Sequence, residues 1–128
     1  MKRKTIFIVD DDPDDVFLMR EAITQSGLNF NVFQASNGCQ LLEMLSEDLR
    51  DVLILIDMNM PLLNGVETLK AIYANPALQH VRSILISTSD SAELKKEALN
   101  SGAMRFIRKP NRFEEYVSLM RDLYYKCF

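Results

Sequence analysis

The chain has 128 residues, 48% hydrophobic and 26% charged, a composition that suits one globular domain with its own core and excludes a disordered or collagen-like chain. Fifteen basic residues stand against 18 acidic ones, and the net charge of -3 excludes a broad electrostatic footprint for nucleic acid or for an acidic membrane. With His80 the only histidine, multi-histidine metal sites are excluded as well, and carboxylates, hydroxyls and Lys109 are the candidate reactive groups.

The first apolar run, "TIFIVD", has strand length and β-branched or aromatic content, and it leads into "DDDPDD". Asp12 is placed to cap a helix, Pro13 fits its first position, and Asp14 and Asp15 favour the positive end of the helix dipole. Those three acids therefore read as helix-start residues. Asp10 and Asp11 instead end the strand. Further strands are expected at "NVFQAS", "DVLILID", "VRSILIS" and "MRFIRK". Helices are expected between and after them, opened by the pairs Asn37 with Gln40, Asn64 with Glu67, Asp90 with Glu93, and Asn111 with Glu114. Gly27 and Gly102 follow the first and fourth helical patterns, where a left-handed closing residue is wanted. Five strands alternating with five helices, the third strand apolar on both faces, imply an α/β domain over residues 1–128: a parallel sheet covered on both sides. Cys39 and Cys127 lack the spacing of a metal knuckle or redox pair, and no signal peptide or spanning segment is visible, so a cytoplasmic location is expected.

Open α/β sheets place ligands at the carboxyl ends of their strands. Asp10 and Asp11 lie on that rim, and Asp57 joins them at the end of "DVLILID". Two unit charges about 4 Å apart repel by roughly 4 kcal/mol at an effective dielectric of 20. Three clustered acids thus call for a bound proton or a divalent cation, and all-oxygen ligands point to Mg²⁺ before zinc. Ser87 and Lys109 end two further strands at the same rim. A carboxylate nucleophile, a metal, a hydroxyl and an ammonium together suit phosphoryl transfer.

"VDDD", "DMNMP" followed by "NG", "IST", "GA" and "KP", in this order and spacing, resemble the response-regulator receiver family, the CheY-like domains of two-component signalling, along essentially the whole chain. The resemblance implies a doubly wound, flavodoxin-like sheet with strand order 2-1-3-4-5. It implies Asp57 as phosphoacceptor, Asp11 as a direct Mg²⁺ ligand, Asp10 as a ligand through water, and Asn59 as a ligand through its backbone carbonyl. Ser87 would bond the phosphoryl group, Lys109 would pair with it, Phe106 would occupy the aromatic switch position, and the Lys109–Pro110 bond would be cis. Phe106 lacks the hydroxyl of the tyrosine often found there, so its switch would act by packing alone; as an aromatic in a strand it also suits plain core. "ISTSD", "ANPALQH" and "KPNRFEEYVSLM" look similar to single-domain regulators that serve phytochrome-type kinases.

The implied function is a stand-alone receiver that accepts a phosphoryl group on Asp57 from a sensor histidine kinase or a histidine phosphotransfer protein. It would catalyse only that transfer and slow autodephosphorylation, then switch a surface read by an unidentified downstream protein, and the aromatics Tyr124, Tyr125 and Phe128 suggest a homodimer. A Mg²⁺-dependent phosphohydrolase with an aspartyl nucleophile would share most of these groups, but it needs a general acid two residues after the nucleophile. That position is Asn59, which has no proton to deliver. A flavodoxin-like phosphate binder is disfavoured because "DDDPDD" would repel the phosphate. An interaction module with a dead site would require that Asp57 never react.

Overall fold

A computed structural model describes residues 3–128. Strands β1 (Lys4–Val9), β2 (Phe30–Ala35), β3 (Val52–Asp57), β4 (Arg82–Ser87) and β5 (Arg105–Arg108) form one sheet in the order 2-1-3-4-5. Every neighbouring pair is parallel. Helices α1 (Pro13–Ser26), α2 (Gly38–Met44), α3 (Gly65–Ala74), α4 (Ala92–Asn100) and α5 (Phe113–Lys126) make the crossovers, and a short 3₁₀ turn, Pro76–Leu78, leads into β4. The expected architecture is thus present.

Period-two alternation divides the core in two. Ile6 and Ile8 of β1, Leu53 and Leu55 of β3, and Ile84 and Ile86 of β4 pack under α1 and α5. Their neighbours Phe7, Val9, Ile54, Ile56 and Leu85 pack under α2, α3 and α4. All six residues of β3 are buried, which is why its sequence is an unbroken apolar run up to Asp57. Each such Leu or Ile contributes about 1.5–3 kcal/mol on burial.

The helix starts follow the sequence in three of five cases. Asp12 caps α1 by accepting from the Asp14 amide at 2.9 Å, and Asn37 caps α2 from the Gln40 amide at 2.8 Å. Asn64 and Glu67 form the full reciprocal box at α3, at 2.8 and 2.9 Å. At α4 the cap is Ser91, whose hydroxyl accepts from the Leu94 amide, and not Asp90. The Asp90 carboxylate turns instead to Arg108, 3.4 Å away, and Ser91 is one residue nearer the helix. At α5 Arg112 occupies the cap position with no side-chain cap bond, in place of Asn111; Glu114 and Glu115 supply the negative charge for that helix end. Gly27 and Gly102 have φ of +68° and +115°, the left-handed backbone expected after α1 and α4. Among the described residues, no helix is long and apolar enough to cross a membrane.

Candidate functional site

Asp10 follows β1 directly, and its amide still pairs with the Ala35 carbonyl at 3.1 Å, so the sheet fixes its backbone. Asp10 is 3% exposed, and its Oδ1 accepts from the Asp12 amide at 3.0 Å. Asp57 ends the central strand, is 5% exposed, and continues the Leu53–Leu55 row that faces α1 and α5. Beyond it the Met58 amide pairs with the Ile86 carbonyl, and the Gly65 amide bonds back to the Met58 carbonyl at 2.9 Å. A Cβ on Gly65 would lie 2.5 Å from Leu85 Cδ1 and 2.7 Å from the Asp57 carbonyl oxygen. The "NG" pair therefore caps α3 with Asn64 and lets that helix start close against the acceptor strand.

Oxygens of Asp10, Asp11 and Asp57 lie within 4.8 Å of one another, with Asp11 exposed and the other two buried. The three carboxylates offer only hard oxygen donors, and the exposed member leaves an approach from solvent, so the set fits a small divalent cation. Asn59 lies two residues past Asp57 on the same loop and is exposed.

Lys109 reaches in from the end of β5. Its amide donates to the Ser87 carbonyl at 2.7 Å, which sets the start of the side chain. Its Nζ lies 3.0 Å from Asp10 Oδ2, 2.6 Å from Asp15 Oδ2 and 3.1 Å from Asp57 Oδ1. Burial alone would lower the Lys109 pKa, but hydrogen bonds to Asp15 and Asp10, with the charges of Asp10 and Asp57, outweigh it and hold the ammonium above its usual range. Burial, reinforced by the charge of Asp10 and only partly offset by Lys109, pushes Asp57 up to about 6. Burial also raises Asp10, against the Asp12 amide and Lys109.

Ser87 is fully buried, and its hydroxyl oxygen accepts from the Ser89 amide at 3.1 Å. Phe106 pairs in register with Leu85 and packs, half-buried, on the α2–α4 side. Ser87 continues the Ser83–Leu85 row on that same side, since Ile84 and Ile86 face α1 and α5. The structure thus gathers Asp10, Asp11, Asp57 and Lys109, and puts Ser87 and Phe106 one side-chain row away.

Two expectations are corrected. The Lys109–Pro110 bond is trans, and no cis peptide occurs among the described residues. Trans is the lower-energy form before proline by about 0.5–1 kcal/mol, and the bond from the Lys109 amide to Ser87 is made with it. Asp15 does more than start a helix, because its carboxylate makes the shortest contact to Lys109. A signal for this was present in the sequence: side chains in a first helical turn point back toward the helix N-terminus, here the site rim. Asp12 and Asp14 remain exposed at the helix start, as expected.

Comparison with known proteins agrees with this geometry. The family model described as the response regulator receiver domain matches residues 6–121. The sporulation initiation phosphotransferase F of Bacillus subtilis is 30% identical over 115 residues, covering 90% of this chain and 89% of that protein. The transcriptional regulatory protein CpxR of Escherichia coli K12 is 33% identical over 119 residues, 92% of this chain and 48% of CpxR, so the chain spans about half the length of this relative. Among solved structures, the phosphorylated cyanobacterial phytochrome response regulator RcpA superposes with a TM-score of 0.84 at 23% identity, covering 99% of this chain and 97% of that one. The Mn²⁺-bound response regulator Rcp1 superposes with a TM-score of 0.82 at 22% identity, covering 96% of each chain. At these identities the two superpositions speak to the fold. The matched family model and the relatives settle the affiliation: this chain belongs to the response-regulator receiver family of two-component signalling.

Proposed function

We propose that Asp57 is the phosphoryl acceptor of this receiver and that the donor is the phosphohistidine of a sensor kinase or of a histidine phosphotransfer protein. The observation that carries this reading is the Asp57 carboxylate itself, buried at the end of the central strand, 3.1 Å from the Lys109 ammonium and grouped with Asp10 and Asp11. A carboxylate oxygen of Asp57 attacks phosphorus in line, the new O–P bond forms as the P–N bond breaks, and the imidazole nitrogen leaves with the electron pair. Lys109 neutralises charge on the phosphoryl oxygens. Asp10, Asp11, Asp57 and the Asn59 carbonyl are the groups that would hold Mg²⁺. When bound, that ion supplies positive charge to the phosphoryl oxygens and relieves the repulsion among the acids. Asn59 gives no general acid, so the aspartyl phosphate is expected to persist far longer than a hydrolase intermediate.

Ser87 and Phe106 are the proposed relay. Once Asp57 carries the phosphoryl group, the Ser87 hydroxyl can donate to one of its oxygens, drawing the loop from Ser87 to Asp90 toward the site and opening room for Phe106. The surface so altered, around α4 and β5, would meet the downstream partner. "ISTSD" and "KPNRFEEYVSLM" favour a kinase of phytochrome type. Of the three C-terminal aromatics that suggest a homodimer, Tyr125 is the exposed one. Tyr124 and Phe128 pack on Phe30 at 5.0 and 5.8 Å between ring centres, while Tyr125 is 72% exposed. The test of the acceptor role is incubation with a small phosphodonor and Mg²⁺ followed by intact-mass measurement. One phosphoryl group on the wild type and none on Asp57→Asn is expected; equal labelling of both would refute it.

A further inference from the structure

An ammonium has three N–H bonds and no acceptor; Lys109 donates hydrogen bonds to Asp10 and Asp15 and stands as an ion pair 3.1 Å from Asp57 Oδ1, three carboxylates of different standing. Asp57 is the proposed acceptor. Asp10 belongs with Asp57 and Asp11 to the acids that can converge on a cation, whereas Asp15 lies outside that group. Asp15 stands on the first turn of α1, which Asp12 caps at 2.9 Å. Lys109 by contrast is fixed only through its backbone, and four flexible carbons separate that anchor from the charge. Beside it lies a cleft of about 230 Å³ lined by Asp15, Thr88, Lys109, Pro110 and Tyr116 among others, into which a released ammonium has room to turn.

We propose that Asp15 is a positioning residue for phosphoryl transfer, tethering the Lys109 ammonium beside Asp57 with one N–H bond left for the incoming group. This rests on the acceptor role proposed for Asp57. Asp15 and Asp10 hold two N–H bonds, and the third is left for a phosphoryl oxygen when the group arrives on Asp57, whose Oδ1 lies 3.1 Å from the ammonium. No N–H bond needs to be freed for the reaction. Asp10 and Asp57 are among the carboxylates that would hold a divalent cation, whose charge would repel the ammonium, so Asp15, outside that group, would keep the unshared tether.

The test follows phosphorylation of the full chain by a small phosphodonor at saturating Mg²⁺, together with NMR of the Lys109 ammonium protons without metal. Asp15→Ala is expected to lower the maximal rate about tenfold or more, with the half-saturating donor concentration moving less than about twofold, because misplacement of a catalytic group by about 1 Å costs up to about 100-fold. Its Lys109 ammonium signal should broaden through faster exchange with water. Asp15→Asn, which keeps an acceptor oxygen, should fall between this variant and the wild type in rate, and Asp14→Ala, one residue away at the same helix end, should match the wild type. A folded Asp15→Ala as fast as the wild type, or faster, overturns the proposal, and so does an equal loss in Asp14→Ala. Should Asp15→Ala not fold, a wild-type rate in Asp15→Asn overturns it. Failure of the acceptor reading looks different: the wild type takes no label, or Asp57→Asn takes it.

Discussion

Asp57 and Ser87 end neighbouring strands but continue opposite side-chain rows of the sheet, Asp57 the Leu53–Leu55 row under α1 and α5 and Ser87 the Ser83–Leu85 row under α3 and α4. A hydroxyl on one row reaches a group on the other only by drawing its own loop across the sheet edge. That displacement is the proposed origin of the signal at α4 and β5. The side-chain row of Ser87 is also the row of Phe106, through Leu85.

Ser87→Ala is therefore expected to accept the phosphoryl group yet lose most of the conformational response. The measurement is NMR chemical-shift change over residues 87–110 with a non-hydrolysable phosphoryl mimic on Asp57. Wild-type shifts across α4 and β5 in the variant would move the relay to Lys109 or Thr88. Phe106→Ala should likewise accept the group and fail to transmit the change.

The grouping of Asp10, Asp11 and Asp57 predicts that Mg²⁺ raises the melting temperature of the wild type by binding the folded state. Asp11→Asn should lose this response. Asp14→Asn should keep it while changing helix-end stability by about 0.3–1 kcal/mol. A metal-dependent shift that survives in Asp11→Asn would remove that residue from the ligand set.

The raised Asp57 pKa, about 6 against 3.8 for the unconstrained side chain, makes the folded state bind a proton that the unfolded chain has already released between these values. Stability from this group is complete below the unfolded pKa and is lost as pH rises through about 6. Without metal, Asp57→Asn should thus be more stable than the wild type at pH 7, by about 1–3 kcal/mol, with the difference vanishing near pH 4. Urea unfolding at both pH values checks the sign. A variant less stable than the wild type at pH 7 would mean that the Lys109 contact outweighs burial and the charge of Asp10.

Much of this site could be read from the sequence because strand ends and helix starts are local signals. The apolar run into Asp57, the Asp12 cap and the Asn64–Glu67 box each depend on residues a few positions apart. Asp15 reads as a helix-start residue because its partner is 94 positions away and spacing carries no information at that range; only its place in the first helical turn, where side chains point back toward the rim, signals the contact. The cap of α4 fell one residue late for a related reason. Asp90 and Ser91 both suit a cap, and the distant Arg108 takes the first. At Lys109–Pro110 the family likeness pointed to cis, while the backbone here keeps the intrinsically favoured trans form.

Gly65→Ala tests whether α3 must begin hard against the acceptor strand. Its Cβ would meet Leu85, the Asp57 carbonyl and Met58 Cα at 2.5, 2.7 and 3.0 Å, and two of these are backbone. A loss of about 1–3 kcal/mol is expected from the overpacking, together with slower phosphorylation as the Asp57 strand end shifts. Unchanged thermal stability would show that the α3 start relaxes freely.

The most direct measurement of the central claim is borohydride trapping after treatment with a phosphodonor and Mg²⁺, followed by peptide sequencing in the mass spectrometer. An acyl phosphate on Asp57 is reduced to homoserine, so homoserine at position 57 and nowhere else is the expected result. Stable phosphoserine at Ser87 or Ser89, or homoserine at position 10 or 11, would contradict it.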